Sequence, residues 1–92
     1  MFRVIIAPLV SRQLGQLLGN ERAALLRVLN RLHHELGNHS ARYRGRRDPE
    51  DPDHLFDYAI GMYLGGRFRV FRFSVNDTMA DDRLFVEAVS AT

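Results

Sequence analysis

Between Gly66 and Val75 the chain reads Gly-Arg-Phe-Arg-Val-Phe-Arg-Phe-Ser-Val, with three arginines set among aromatic and β-branched residues. Such a segment folds as a strand that packs on one face and meets water or an anion on the other. The alternation slips inside it: Phe68 and Val70 share one parity, and Phe71, Phe73 and Val75 share the other. A β-bulge at Val70-Phe71 resolves the slip. That arrangement predicts Phe68, Val70, Phe73 and Val75 toward the core, with Arg67, Arg69, Arg72 and Ser74 together on the open face. The ground for it is that a regular ladder buries at least one unpaired arginine, which is strongly unfavourable.

The whole basic inventory is arginine, 13 residues with no lysine. Arginine suits two-pronged recognition of phosphates and carboxylates and keeps its charge at any working pH. Genomic base composition accounts equally well for the missing lysines, though not for three arginines in one strand. The formal net charge is only +2, so a basic patch is expected, not a uniformly basic protein.

Upstream of this strand the hydrophobic period changes twice. Phe2, Val4 and Ile6 alternate with Arg3 and Ile5 as a first strand. Pro8 suits the first turn of a helix, and Val10, Leu14, Leu17 and Leu18 recur at helical spacing up to Gly19. Asn20 is placed as the N-cap of a second helix. Its stripe is Leu25, Val28, Leu29, Leu32 and Leu36, and Gly37-Asn38 is expected to end it. Arg27, Arg31 and Glu35 lie four apart on its other side, a solvated face with one favourable ion pair. From Leu55 the period is two: Phe56, Tyr58, Ile60, Met62 and Leu64 oppose Asp57, Ala59, Gly61 and Tyr63. Gly65-Gly66 is a hairpin signal. A turn at Val75-Asn76-Asp77-Thr78 and a loop from Met79 to Asp82 lead to a last strand, Leu84 to Val89, with Leu84, Val86 and Ala88 inward.

The predicted order is β-α-α-β-β-β, an α+β fold with a helical hairpin on one face of a small, mainly antiparallel sheet. Residues 39–54 read as one irregular stretch, in which Arg42, Arg44, Arg46 and Arg47 face Asp48, Glu50, Asp51 and Asp53. It is either a self-neutralising surface loop or a basic arm held by an acidic latch until a polyanion displaces it.

Ninety-two residues make a single domain, 1–92, with one modest core. The chain has no cysteine, which excludes disulfides and thiolate chemistry and suggests an intracellular, cytoplasmic setting. No apolar run approaches the length of a signal peptide core or a membrane span. His33, His34, His39 and His54 lack metal-ligand spacing, so neither a metal nor another cofactor is expected. His54 is a surface histidine or a general base. No helix follows Gly65-Gly66, so it is no phosphate loop. Tyr43 and Tyr63 are the stacking candidates for a base.

Three segments carry a family likeness. Phe2-Arg3-Val4-Ile5-Ile6-Ala7-Pro8 with Leu14 and Leu17 looks like the opening strand and first helix of the RelE/ParE superfamily of bacterial toxins. Gly66-Arg67-Phe68-Arg69-Val70-Phe71 resembles its central strand, with one extra residue after the glycine, and Leu84 to Val89 resembles its closing strand. The resemblance implies the toxin of a type II toxin–antitoxin pair that inhibits translation by binding or cleaving mRNA at the ribosome. It implies Arg69 as the catalytic, charge-stabilising residue. Arg67, Arg72, Arg44, Arg46, Arg47 and Tyr63 would contact RNA or its phosphates. In the mRNA-cleaving branch the preceding strand adds basic residues and the closing strand leads to an arginine and an aromatic. Here those places hold Ala59 and Gly61, and Ser90, Ala91 and Thr92. The implied ribosome-dependent endoribonuclease therefore has an incomplete catalytic set. A gyrase-directed toxin and a non-catalytic protein-binding module of the same fold are the alternatives. The implied partners are an antitoxin protein, as a hetero-oligomer or beside a homo-dimer, and the ribosome with its mRNA; no membrane is implied.

Overall fold

The computed structural model describes residues 2–44, 55–77 and 82–92, with side chains in the first segment as far as Asn38. The elements are β1 (Arg3–Ile6), α1 (Pro8–Leu17), α2 (Arg22–Arg44), β2 (Leu55–Leu64), β3 (Arg67–Asp77) and β4 (Arg83–Ala91). Among the described residues the order is thus β-α-α-β-β-β, an α+β fold. The four strands form one mixed sheet in the order β1-β4-β3-β2, in which β1 runs parallel to β4 and the other pairs are antiparallel.

The core lies between the sheet and the two helices. Val10 and Leu14 from α1 and Val28, Leu32 and Leu36 from α2 meet Ile60, Phe71, Phe73, Val75, Leu84 and Val86 from the sheet. Burial of these side chains, at roughly 1.5–3 kcal/mol each, is the main favourable term. The apolar set expected of β2 does face this core: Ile60 is buried, and Phe56, Tyr58, Met62 and Leu64 pack beside it.

The end of α1 gives a full account of its carbonyls, which a helix terminus otherwise leaves without partners. Asn20 N–H donates to Gly15 O at 2.7 Å and Gly19 N–H to Gln16 O at 3.1 Å, the paired bonds of a Schellman motif. Glu21 N–H reaches Leu18 O at 3.3 Å. The remaining carbonyl, Leu17 O, accepts from Arg69 Nη1 at 2.8 Å. Gly19 and Asn20 both take left-handed backbone, φ 65° and 61°, so Asn20 belongs to this turn and is not the N-cap of α2. That place falls to Glu21, whose carbonyl accepts the first helical bond, from Leu25 at 3.1 Å.

Four further expectations are corrected. First, α2 does not stop at Gly37-Asn38 but runs on to Arg44. Neither residue has positive φ, and the buried Gly37 accepts the Phe2 N–H at 3.3 Å. The glycine thus lies inside the helix, its carbonyl bonded to the chain just before β1, instead of ending it. The irregular stretch therefore loses 39–44 to the helix, while 45–54, with Arg46, Arg47 and His54, lies outside the described residues.

Second, β3 has no bulge at Val70-Phe71. It pairs with β2 without interruption from Leu64↔Arg67 to Leu55↔Asn76. The irregularity lies instead on β4. Ser74 faces Ala88 and Val75 faces Val86, which leaves Glu87 as the extra residue; its Oε1 accepts from Asn76 Nδ2 at 3.2 Å. Third, the parity of β4 therefore flips after Glu87. Ala88 is exposed, while Val89 and Ala91 pack against the core in its place. Fourth, β3 continues through Val75-Asn76 to Asp77, where a turn was expected to begin.

Candidate nucleic-acid interface

One face of the sheet carries the helices and the other is open among the described residues. In β3 the side chains of Phe71, Phe73 and Val75 are buried beneath the helices, which puts Arg67 and Arg69 on that same covered side and Phe68, Val70, Arg72 and Ser74 on the open side. The three arginines therefore do not share a face. Arg69 avoids burial as a bare charge because α1 ends beside it. Its guanidinium sits on the Leu17 carbonyl and 5.1 Å from the centroid of the Phe71 ring. A cation at a helix C-terminus also faces the negative end of the helix dipole, and α1 has no basic residue of its own in its last turn. Arg67, next to the Gly65-Gly66 turn, is exposed.

The open face is built row by row from the strand registers. At the hairpin, Tyr63 stands opposite Phe68; both are largely exposed, at 70% and 58%, and their ring centroids lie 5.2 Å apart. Gly65 and Gly66, with φ 59° and 79°, close this hairpin as a type I′ turn. The next row holds Gly61 and Val70, then Ala59, Arg72 and Ser90, then Asp57, Ser74 and Ala88. The far end is more apolar, with Leu55, Phe85 and Ile5, and Arg3 beside Arg83. The floor between the aromatic pair and Arg72 is low because its residues are small. A Cβ on Gly61 would lie 2.6 Å from Phe68 Cζ, so the phenyl ring rests over the glycine.

Arg72 occupies the centre of this face. A groove lined by Asp57, Arg72, Ser74, Ala88 and Ser90 runs across it. The Arg72 side chain has no ion pair, hydrogen bond or ring contact among the described residues. An exposed, unengaged guanidinium between two hydroxyl side chains can receive a phosphate or carboxylate in two-pronged fashion. Asp57 shares the groove and is its acidic side chain. Sequence reasoning missed Asp57, Ser74 and Ser90 as site residues. Their signal is present in part: Asp57 has the same strand parity as Ala59 and Gly61, opposite the apolar set of β2.

The remaining predicted residues scatter. Tyr63 lies on the open face at the hairpin, about four residues along the strand from Arg72, which is roughly 13 Å. Arg44 ends α2, and Arg42 and Tyr43 belong to the same helix, without described side chains. Arg31 serves the fold. It pairs with Glu35 at 2.8 Å, as the four-residue spacing suggests, and donates to the Gly61 carbonyl at 2.7 Å. Glu35 also accepts the Tyr58 hydroxyl. This clamp joins α2 to β2, an edge strand whose backbone would otherwise be bare there.

His33 and His34 are adjacent and exposed on α2, and Asn38 Nδ2 lies 3.2 Å from His34 Nδ1. Among the described residues, no group of three or more His, Asp or Glu side chains is placed to hold a metal ion, and no helix is long and apolar enough to cross a membrane. Compared with known proteins, the chain matches no family model, no curated protein and no solved structure.

Proposed function

We propose that this chain is the toxin half of a RelE/ParE-like type II toxin–antitoxin pair and inhibits translation by holding mRNA at the ribosome against the open face of its sheet. The observation that carries the reading is Arg72, an unengaged guanidinium at the centre of that face in a groove it shares with Ser74 and Ser90. The element order supports the resemblance, although a fold by itself carries no function. The charge-stabilising role expected of Arg69 passes to Arg72, because the Arg69 guanidinium already holds the Leu17 carbonyl.

Cleavage by an RNA 2′-hydroxyl needs an acceptor for its proton and a donor for the leaving oxygen. Asp57 supplies a carboxylate in the groove; among the described residues no histidine, tyrosine or lysine lines the groove beside it to act as the general acid. Binding therefore outweighs cleavage in this reading. Arg44, Arg46 and Arg47 add electrostatic contacts to the RNA backbone. An antitoxin with acidic and apolar segments that fold on binding would neutralise the protein. A protein-binding module or a gyrase-directed toxin is the second reading. The exposed Tyr63–Phe68 pair favours it, since aromatic anchors of this kind also mark protein interfaces.

The test is induction in a bacterial host, with primer extension on mRNA from cells carrying the wild type, Arg72→Ala or Arg69→Ala. Growth inhibition with weak cuts, relieved by Arg72→Ala, is expected. With purified protein, the Arg44, Arg46 and Arg47 triple alanine variant should flatten the salt dependence of RNA binding by about one unit of slope per lost phosphate contact. Toxicity without cuts and unaffected by Arg72→Ala would transfer the reading to gyrase or to a protein partner.

A further inference from the structure

The two edges of β4 are used unequally. On one side β3 pairs with it along its length, as far as Phe71↔Ala91. On the other side β1 covers only Arg83 to Val86. There Ala7 N–H makes the last bond, to Val86 O at 3.0 Å, and Pro8 turns the chain into α1. Proline has no N–H with which to continue a ladder. Among the described residues the second half of β4 is therefore a strand with one neighbour.

Its unpaired groups can be named. Thr92 N–H donates to Val70 O at 3.0 Å. In an antiparallel ladder the bonded pairs alternate, so in this register Ser90 and Ala88 also turn their main-chain groups toward β3. Val89 and Ala91 turn theirs outward, and none of these four groups has a partner among the described residues. They face a groove between β4 and α1 lined by Gln13, Gln16, Leu17, Val89, Ser90 and Ala91. Among the described residues the lining carries no charged side chain.

We propose that this groove receives an extended segment of a partner protein, which adds to the sheet in line with β1 and beside the second half of β4. Two N–H and two C=O groups in alternation are matched by a peptide main chain. With no cation in the lining, a nucleic acid strand has no phosphate partner here. Ala88 to Ala91 span about 13 Å, room for a strand of about four residues. The segment's side chains on the α1 side meet Leu17, Val89 and the amides of Gln13 and Gln16, so they are apolar or uncharged polar. Main-chain bonds would supply affinity and these contacts specificity. The proposal does not rest on the RNA reading of the open face.

Because the chain has no cysteine, Gln16→Cys places a single thiol at the groove. Under reversible disulfide exchange it is offered a mixture of Cys-Thr-Val-Thr and Cys-Pro-Val-Pro amides. The Thr-Val peptide should be captured about tenfold over the proline peptide, whose main chain lacks the donors. In the captured form, hydrogen–deuterium exchange should slow at Val89 and Ala91, with no change along the β2 edge. Ala91→Pro removes one outward N–H where an edge strand accepts proline, and should erase the preference in the Gln16→Cys background while the urea midpoint holds. Equal capture of both peptides overturns the proposal. So does slowed exchange confined to β2, or protection of Val89 and Ala91 by self-association of the free protein.

Discussion

Arg69 and Arg72 stand three residues apart on one strand and are used in opposite ways. Arg69 has the parity of the buried Phe71 and Phe73, yet it lies where α1 stops, and its charge closes the last carbonyl of that helix. Arg72 has the parity of the open face and makes no hydrogen bond, ion pair or ring contact among the described residues. The contrast teaches that strand parity assigns a face but not an environment. A long side chain on the core side is satisfied if the layer above it ends within reach and offers an acceptor there. The covered half of β3 is thus committed to the fold, and the open half is available for binding.

The sharpest way to break this contrast is to remove a ring from each side. Phe73→Ala should cost about 3–5 kcal/mol in urea denaturation, because it leaves a cavity in the core. Phe68→Ala, at a largely exposed ring, should cost under about 1 kcal/mol; equal losses would mean that the open face is covered after all. Next in size is Arg69→Ala, which should lower stability by about 1–2 kcal/mol by leaving the Leu17 carbonyl without its charged donor. Arg72→Ala should stay within about 0.5 kcal/mol, measured the same way. Tyr58→Phe tests the clamp that holds the covered side to α2: loss of the hydroxyl bond to Glu35 should cost about 1 kcal/mol. A small effect is also expected at Gly61→Ala, under about 1 kcal/mol, since the clash is with the far end of an exposed ring. Its readout is loss of Tyr63–Phe68 ring contacts by NMR, with the core signals unchanged.

Much of the fold could be read from the chain because its periods are clean. Helix positions 10, 14, 28, 32 and 36 and the two-residue alternation of β2 announced their inward faces directly, and Gly65-Gly66 announced its turn. What was misread depends on contacts between distant segments. Gly37-Asn38 has the composition of a helix stop, but β1 packs against it. The bulge was placed at Val70-Phe71 to spare an arginine that Leu17, 52 residues away, in fact satisfies. The true irregularity at Glu87 leaves a faint trace in the order Leu84, Val86, Val89 and Ala91. The candidate site was legible only by composition. Three arginines in a strand pointed to an anion, but which of them is free depends on where α1 ends, and no local pattern encodes that.

The parallel pairing of β1 with β4 joins residues as far apart as Arg3 and Arg83. The β2–β3 hairpin, closed by two glycines, can form locally and early. The first strand has no such local partner, and closing so large a loop defers its reward until nearly the whole chain is in place. Folding is therefore expected to be gated at this junction. During synthesis the N-terminal strand and the helix hairpin behind it must wait for β4, so the sheet is completed as one late event.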